Sequence, residues 1–79
     1  MYRIYLSKIK AGLKQRLKGD VTVALVNDTV IITVYNSTMS YQRTYYSLSE
    51  KIWQGTPADL FVSDFISHYK QAVFKSCFK

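Results

Sequence analysis

Apolar residues in the first stretch of the chain recur at helical spacing. Leu6, Ile9, Leu13 and Leu17 lie three or four positions apart and so share one face, which Tyr2 and Tyr5 extend. Arg3, Lys10, Lys14 and Lys18 fall along one flank of the same segment. Gly19 then predicts the stop, since glycine accepts the left-handed backbone that closes a helix.

The pattern next changes to runs rich in β-branched residues, Asp20-Val-Thr-Val-Ala-Leu-Val26 and Thr29-Val-Ile-Ile-Thr-Val-Tyr35, on either side of Asn27-Asp28. Asn-Asp tolerates the positive φ angles of a two-residue hairpin loop. With that loop, Val26 faces Thr29, and Val21, Val23, Leu25, Val30, Ile32 and Val34 share one aliphatic face. Thr22, Ala24, Thr33 and Tyr35 occupy the wetter side.

Asn36-Ser37-Thr38 reads as a loop into a third strand, Ser40-Tyr-Gln-Arg-Thr-Tyr-Tyr-Ser47. Its register depends on the length of the loop. An even loop puts Tyr41, Arg43 and Tyr45 on the aliphatic side; an odd loop puts them on the open side beside Tyr35, with Gln42, Thr44 and Tyr46 inward. The cost of burying an unpaired arginine favours the odd loop. An edge strand from which Arg43 can snorkel keeps the even one open.

Ser47-Leu-Ser-Glu50 matches a capping box and predicts a short helix over 48–54, closed by Gly55. Thr56 as N-cap, Pro57 in the first position and Asp59 in the first turn predict a terminal helix over 57–78. Its apolar face carries Ala58, Phe61, Val62, Phe65, Ile66, Tyr69, Ala72, Val73 and Cys77. Leu60, Phe74 and Phe78 fall opposite, and Trp53 sits in the short connecting segment. The fold class is therefore α+β: a single domain over 1–79, two layers in the order αβββα, with a three-stranded antiparallel sheet and both helices on one face.

Composition refines this picture. The chain has 79 residues, of which 48 % are hydrophobic and 20 % charged, which is a globular balance. The net charge is +6 and unevenly placed. Residues 1–20 hold six Lys/Arg against one Asp, residues 21–69 two against four acids, and residues 70–79 three against none. A positive field at both ends attracts phosphate backbones or acidic protein surfaces. The single cysteine, Cys77, closes no internal disulfide and suits a reducing compartment. No apolar run is long enough to span a bilayer, and lysines interrupt any signal-like segment, so a cytoplasmic protein with no membrane partner is expected.

Enzymatic signals are thin. Asp64 and His68 are four apart on a helix, but no Ser or Cys stands ready as their nucleophile. Gly12, Gly19 and Gly55 are isolated and form no phosphate loop, and no Cys/His cluster offers a metal site. The expectation is a non-enzyme without cofactor or metal. Two binding surfaces compete. Arg3, Lys10, Lys14 and Lys18 on phosphate, with Tyr35, Tyr41, Arg43 and Tyr45 on bases, would bind nucleic acid. Trp53, Leu60, Phe74 and Phe78 would serve a protein partner or a homodimer.

The αβββα order resembles the double-stranded-RNA-binding domain over nearly the whole chain. That family's lysine cluster at the start of the last helix is replaced here by Gly55-Thr-Pro-Ala-Asp-Leu-Phe-Val62, so only the layout carries over. The stretch Arg43-Thr-Tyr-Tyr-Ser-Leu-Ser-Glu-Lys-Ile-Trp-Gln-Gly-Thr-Pro-Ala-Asp-Leu-Phe-Val-Ser-Asp-Phe-Ile-Ser-His-Tyr-Lys-Gln71 resembles small proteins of bacteriophages and mobile elements. Some of that size and layout are anti-CRISPR inhibitors. The resemblance implies a bacterial host and a nucleoprotein or nuclease as partner.

Overall fold

The computed structural model describes residues 2–37 and 39–77. Its elements are α1 (Tyr2–Arg16), β1 (Asp20–Val26), β2 (Thr29–Tyr35), β3 (Ser40–Tyr45), α2 (Leu48–Trp53) and α3 (Ala58–Cys77). The strands form one antiparallel sheet in the order β1-β2-β3. The expected α+β layout is thus the observed one.

The hairpin follows the aliphatic pattern. Val21 pairs with Val34, Val23 with Ile32 and Leu25 with Val30. Asn27 and Asp28 adopt φ values of 48° and 65°, the two positive angles that match the twist of the flanking strands. Onto this face pack Ile9 and Leu13 of α1 and Ala58, Phe61, Val62, Phe65 and Ile66 of α3, all buried. Removing the Ile, Leu, Val and Phe side chains among them from water stabilises by about 1.5–3 kcal/mol each. Gly12 lets the two helices meet: a Cβ there would stand 3.0 Å from Cγ2 of Val62.

The third strand takes the even register. Asn36–Met39 is a four-residue loop, because Tyr35 pairs with Ser40, Val34 with Tyr41, Ile32 with Arg43 and Val30 with Tyr45. Two hydrogen bonds close it, Asn36 N–H to the Met39 carbonyl at 3.0 Å and Met39 N–H to Asn36 Oδ1 at 3.0 Å. Tyr41, Arg43 and Tyr45 therefore lie on the helix-covered side, which corrects the favoured expectation. The feared cost does not arise, because β3 is an edge strand and Arg43 reaches out to Asp64 with 35 % of its side chain exposed. Tyr46, just after the strand, is exposed.

Three local expectations also change. α1 ends at Arg16, so Lys18 lies in the connection to β1 and not on the helical flank. There Gly19 adopts φ 112°, and a Cβ on it would meet the Tyr35 carbonyl oxygen at 2.7 Å. The capping box does not form either: Ser47 is left-handed at φ 57° and its side chain caps nothing. Asp28 of the hairpin loop does that work from a distance. Its Oδ1 accepts from the Ser49 amide at 2.8 Å, its Oδ2 from the Ser49 hydroxyl at 2.7 Å, and its carbonyl from the Leu48 amide at 2.9 Å. Finally, α3 begins one residue later than expected, and the Thr56 carbonyl accepts the Tyr5 hydroxyl at 2.6 Å.

Candidate binding surface

α1 carries five cations and no acid between Tyr2 and Arg16. Arg3, Lys10 and Lys14 stand seven and four positions apart, so they form one stripe, and all three are exposed. The stripe borders the side of α1 that carries Leu6, and Leu6 leans over β1. Between them lies an open cleft of about 330 Å³, lined by Arg3, Leu6, Ser7, Lys10, Val23 and Leu25. The stripe makes no ion pair among the described residues, where the pairs are Arg43–Asp64 and His68–Asp64, at the other edge of the sheet.

The floor of the cleft is the free edge of β1. In a hairpin with a two-residue loop the closing pair, Val26 and Thr29, exchanges hydrogen bonds, and bonded pairs then alternate along the ladder. Asp20, Thr22, Ala24 and Val26 spend their backbone groups on β2. Val23 and Leu25 turn theirs outward, and no other described segment bonds to them; Val21 has the same orientation but is buried. Sheet edges are usually blunted by charge, proline or bulges. β1 pairs along its whole length without a bulge and has no charge after Asp20. β3, the opposite edge, carries Arg43.

Around Arg43 the geometry is that of a clasp between β3 and α3. Arg43 Nε donates to Asp64 Oδ2 at 3.2 Å, and the Tyr45 hydroxyl donates to the same oxygen at 2.5 Å. The guanidinium also sits 5.6 Å from the centre of the Tyr45 ring. His68 Nδ1 stands 2.9 Å from the Asp64 carbonyl and 3.5 Å from its Oδ1. Partial burial pushes the Asp64 carboxyl up, but the Tyr45 hydroxyl, His68 and Arg43 outweigh it and hold the group below the usual carboxylate range. Burial, followed by the bond to Asp64, raises the Tyr45 phenol well above its ordinary value. Arg43 is raised as well: burial alone would lower it, and its contacts with Tyr45 and Asp64 prevail.

The strand tyrosines are packing groups. Tyr45 meets Phe61 edge-on at 5.2 Å, and Tyr41 meets Phe65 at 5.5 Å and Tyr69 at 5.9 Å. Tyr35 alone of the four predicted stacking residues stands on the open face, 60 % exposed. Tyr46, 70 % exposed, follows Tyr45 at the end of β3 away from Ser40, the partner of Tyr35. About six strand residues, or roughly 20 Å, separate the two, so they build no common stacking platform. The protein-partner set is dispersed too. Trp53 is 87 % exposed on α2, while Leu60 and Phe74, both exposed, lie about 21 Å apart along α3. Phe78 lies outside the described residues.

The chain matches no family model, no curated protein and no solved structure. No helix among the described residues is long and apolar enough to cross a membrane. Nor do three His, Cys, Asp or Glu side chains converge among those residues as a metal would require.

The cleft residues Leu6, Ser7, Val23 and Leu25 went unpredicted as a site. The pattern of Leu6, Val23 and Leu25 says only that they face inward, and the signal that was present is the absence of charge, proline and bulge from a strand that ends the sheet.

Proposed function

We propose that the protein is a non-enzymatic binding protein that engages an acidic surface of a protein partner, such as a component of nucleic-acid-processing machinery in a bacterial cytoplasm. The observation that carries this reading is the exposed Arg3–Lys10–Lys14 stripe bordering an apolar cleft over an unpaired strand edge. A polypeptide can use all three features: acidic side chains meet the cations, aliphatic ones fill the cleft, and the main chain meets the edge. A nucleic acid uses only the first. With Tyr41, Arg43 and Tyr45 on the inner side, the set that would stack bases is gone.

The test is a selection of random peptides of about a dozen residues on the folded protein at about 150 mM salt, with gel-shift assays on duplex DNA, duplex RNA and single-stranded RNA in the same buffer. We expect an acidic excess in the selected peptides, and about a tenfold or greater loss of their affinity in the Arg3→Glu, Lys10→Glu, Lys14→Glu triple variant. We expect no shift of the nucleic acids below about 10 μM protein. Submicromolar nucleic-acid binding, with a salt slope that drops by about one for each cation removed, would transfer the function to nucleic acid. No acidic excess would also overturn the reading.

A further inference from the structure

We infer that the partner supplies an extended acidic segment that adds to β1 as a fourth strand. This rests on the reading above and specifies its mode. Three observations converge. First, Val23 and Leu25 present N–H and C=O groups outward in one row, with no described residue bonding to them, and both are partly exposed. Such a row is a template for strand addition, in which main-chain hydrogen bonds give affinity and alternate side-chain pockets give selectivity. Second, the row opens into the cleft formed by Leu6, Val23 and Leu25, so alternate side chains of an added strand face an apolar floor. Third, Arg3 and Lys10 stand over that cleft about 10.5 Å apart along α1. Carboxylates two or four positions apart on the helix side of the added strand reach both.

The charge decides among occupants. A second copy pairing β1 with β1 would set the two α1 stripes side by side and force like charges together. The opposite edge, β3, has its guanidinium held by Asp64 and offers no comparable cation stripe. An acidic strand is complementary at every point where a second copy is not.

The experiment uses the full chain and the selected acidic peptides. Amide hydrogen exchange is read residue by residue with and without peptide. The Val23 and Leu25 amides should exchange freely in the unbound protein and slow by about tenfold or more on binding, while Thr22 and Ala24, already bonded to β2, change little. Methylating alternate backbone nitrogens of the peptide on its bonding edge should weaken binding by about tenfold, and methylating the other edge should not. In the protein, Val23→Pro removes one outward donor without breaking the β2 ladder and should weaken the peptide by a similar factor. If that variant fails to fold, the methylated peptides carry the same test. Binding that depends on Arg3 and Lys10 but leaves the Val23 and Leu25 amides unprotected would overturn strand addition while the acidic-partner reading stands. Peptides without acidic excess and indifferent to charge reversal would overturn both. Sedimentation showing a dimer whose contact protects the same two amides would assign the edge to a second copy and refute the proposal.

Discussion

Asp28 and Ser49, in elements far apart along the chain, are joined by two hydrogen bonds, one to the Ser49 amide at 2.8 Å and one to its hydroxyl at 2.7 Å. The turn that folds the hairpin is therefore also the cap that starts α2. An N-cap is worth about 0.5–2 kcal/mol. Asp28→Ala should cost about 1–2 kcal/mol in urea unfolding, with a further penalty because alanine is poorly suited to φ 65°. Asp28→Asn, which keeps one acceptor and tolerates that backbone, should recover more than half. Ser47→Ala, the residue a capping box would have used, should change stability by less than about 0.5 kcal/mol. Equal losses at Asp28 and Ser47 would contradict this assignment of the cap.

Gly12 and Val62 mark the closest approach of α1 and α3. Alanine at position 12 would ordinarily strengthen a helix by up to about 1 kcal/mol. Here its Cβ would stand 3.0 Å from a Val62 methyl, and a branched side chain in a packed interface yields poorly. Gly12→Ala should therefore destabilise by about 0.5–1.5 kcal/mol. In a Val62→Ala background the same change should become neutral or stabilising. A double-mutant cycle by urea denaturation gives the coupling directly; a vanishing coupling would show that the helices can separate without cost.

The clasp on β3 makes an acid-side prediction. Asp64 gives up its proton more readily in the folded protein than in the unfolded chain, because Tyr45, His68 and Arg43 favour its charged form. Its contribution is present above the ordinary carboxylate value of about 4 and is lost as pH falls through and below it. Unfolding free energy should fall between about pH 5 and pH 3, and Asp64→Asn should flatten that fall while lowering stability at neutral pH. Tyr45→Phe keeps the ring against Phe61 and removes only the hydroxyl. It should move the Asp64 midpoint upward, readable by carboxyl chemical shifts.

Much of this architecture was legible because local signals agreed. The hairpin needed only β-branched alternation around Asn27-Asp28, and every expected pair from Val26–Thr29 to Val21–Val34 is present. α3 could be read from Pro57, Asp59 and the Phe61–Phe65 face. What escaped was settled by tertiary partners. The register of β3 turned on whether Arg43 would find a carboxylate, and Asp64, 21 positions away, supplies it. The cap of α2 likewise came from Asp28 and not from the adjacent Ser47. The candidate surface was half legible: the cations of α1 could be seen, but the unpaired groups of β1 emerge only once the sheet has its edges.

The last prediction separates binding from folding on α1. Arg3, Lys10 and Lys14 are exposed, make no ion pair among the described residues, and share a helix that has no acid to offset them. They repel one another, and Arg3 lies in the first turn, where the helix dipole disfavours a cation. Nothing in the fold needs them. Reversing all three to Glu should change unfolding free energy by no more than about 1 kcal/mol, because Arg3→Glu gains at the first turn what Lys14→Glu loses at the last. Added salt should stabilise the wild-type chain more than the triple variant, since the wild type carries a net charge of +6 and the variant about zero, leaving less overall repulsion to screen. Thermal unfolding at low and high ionic strength measures both effects. A variant less stable than wild type by more than about 1 kcal/mol would mean that these cations hold α1 in place, and any binding lost with them could then be ascribed to the fold instead of the surface.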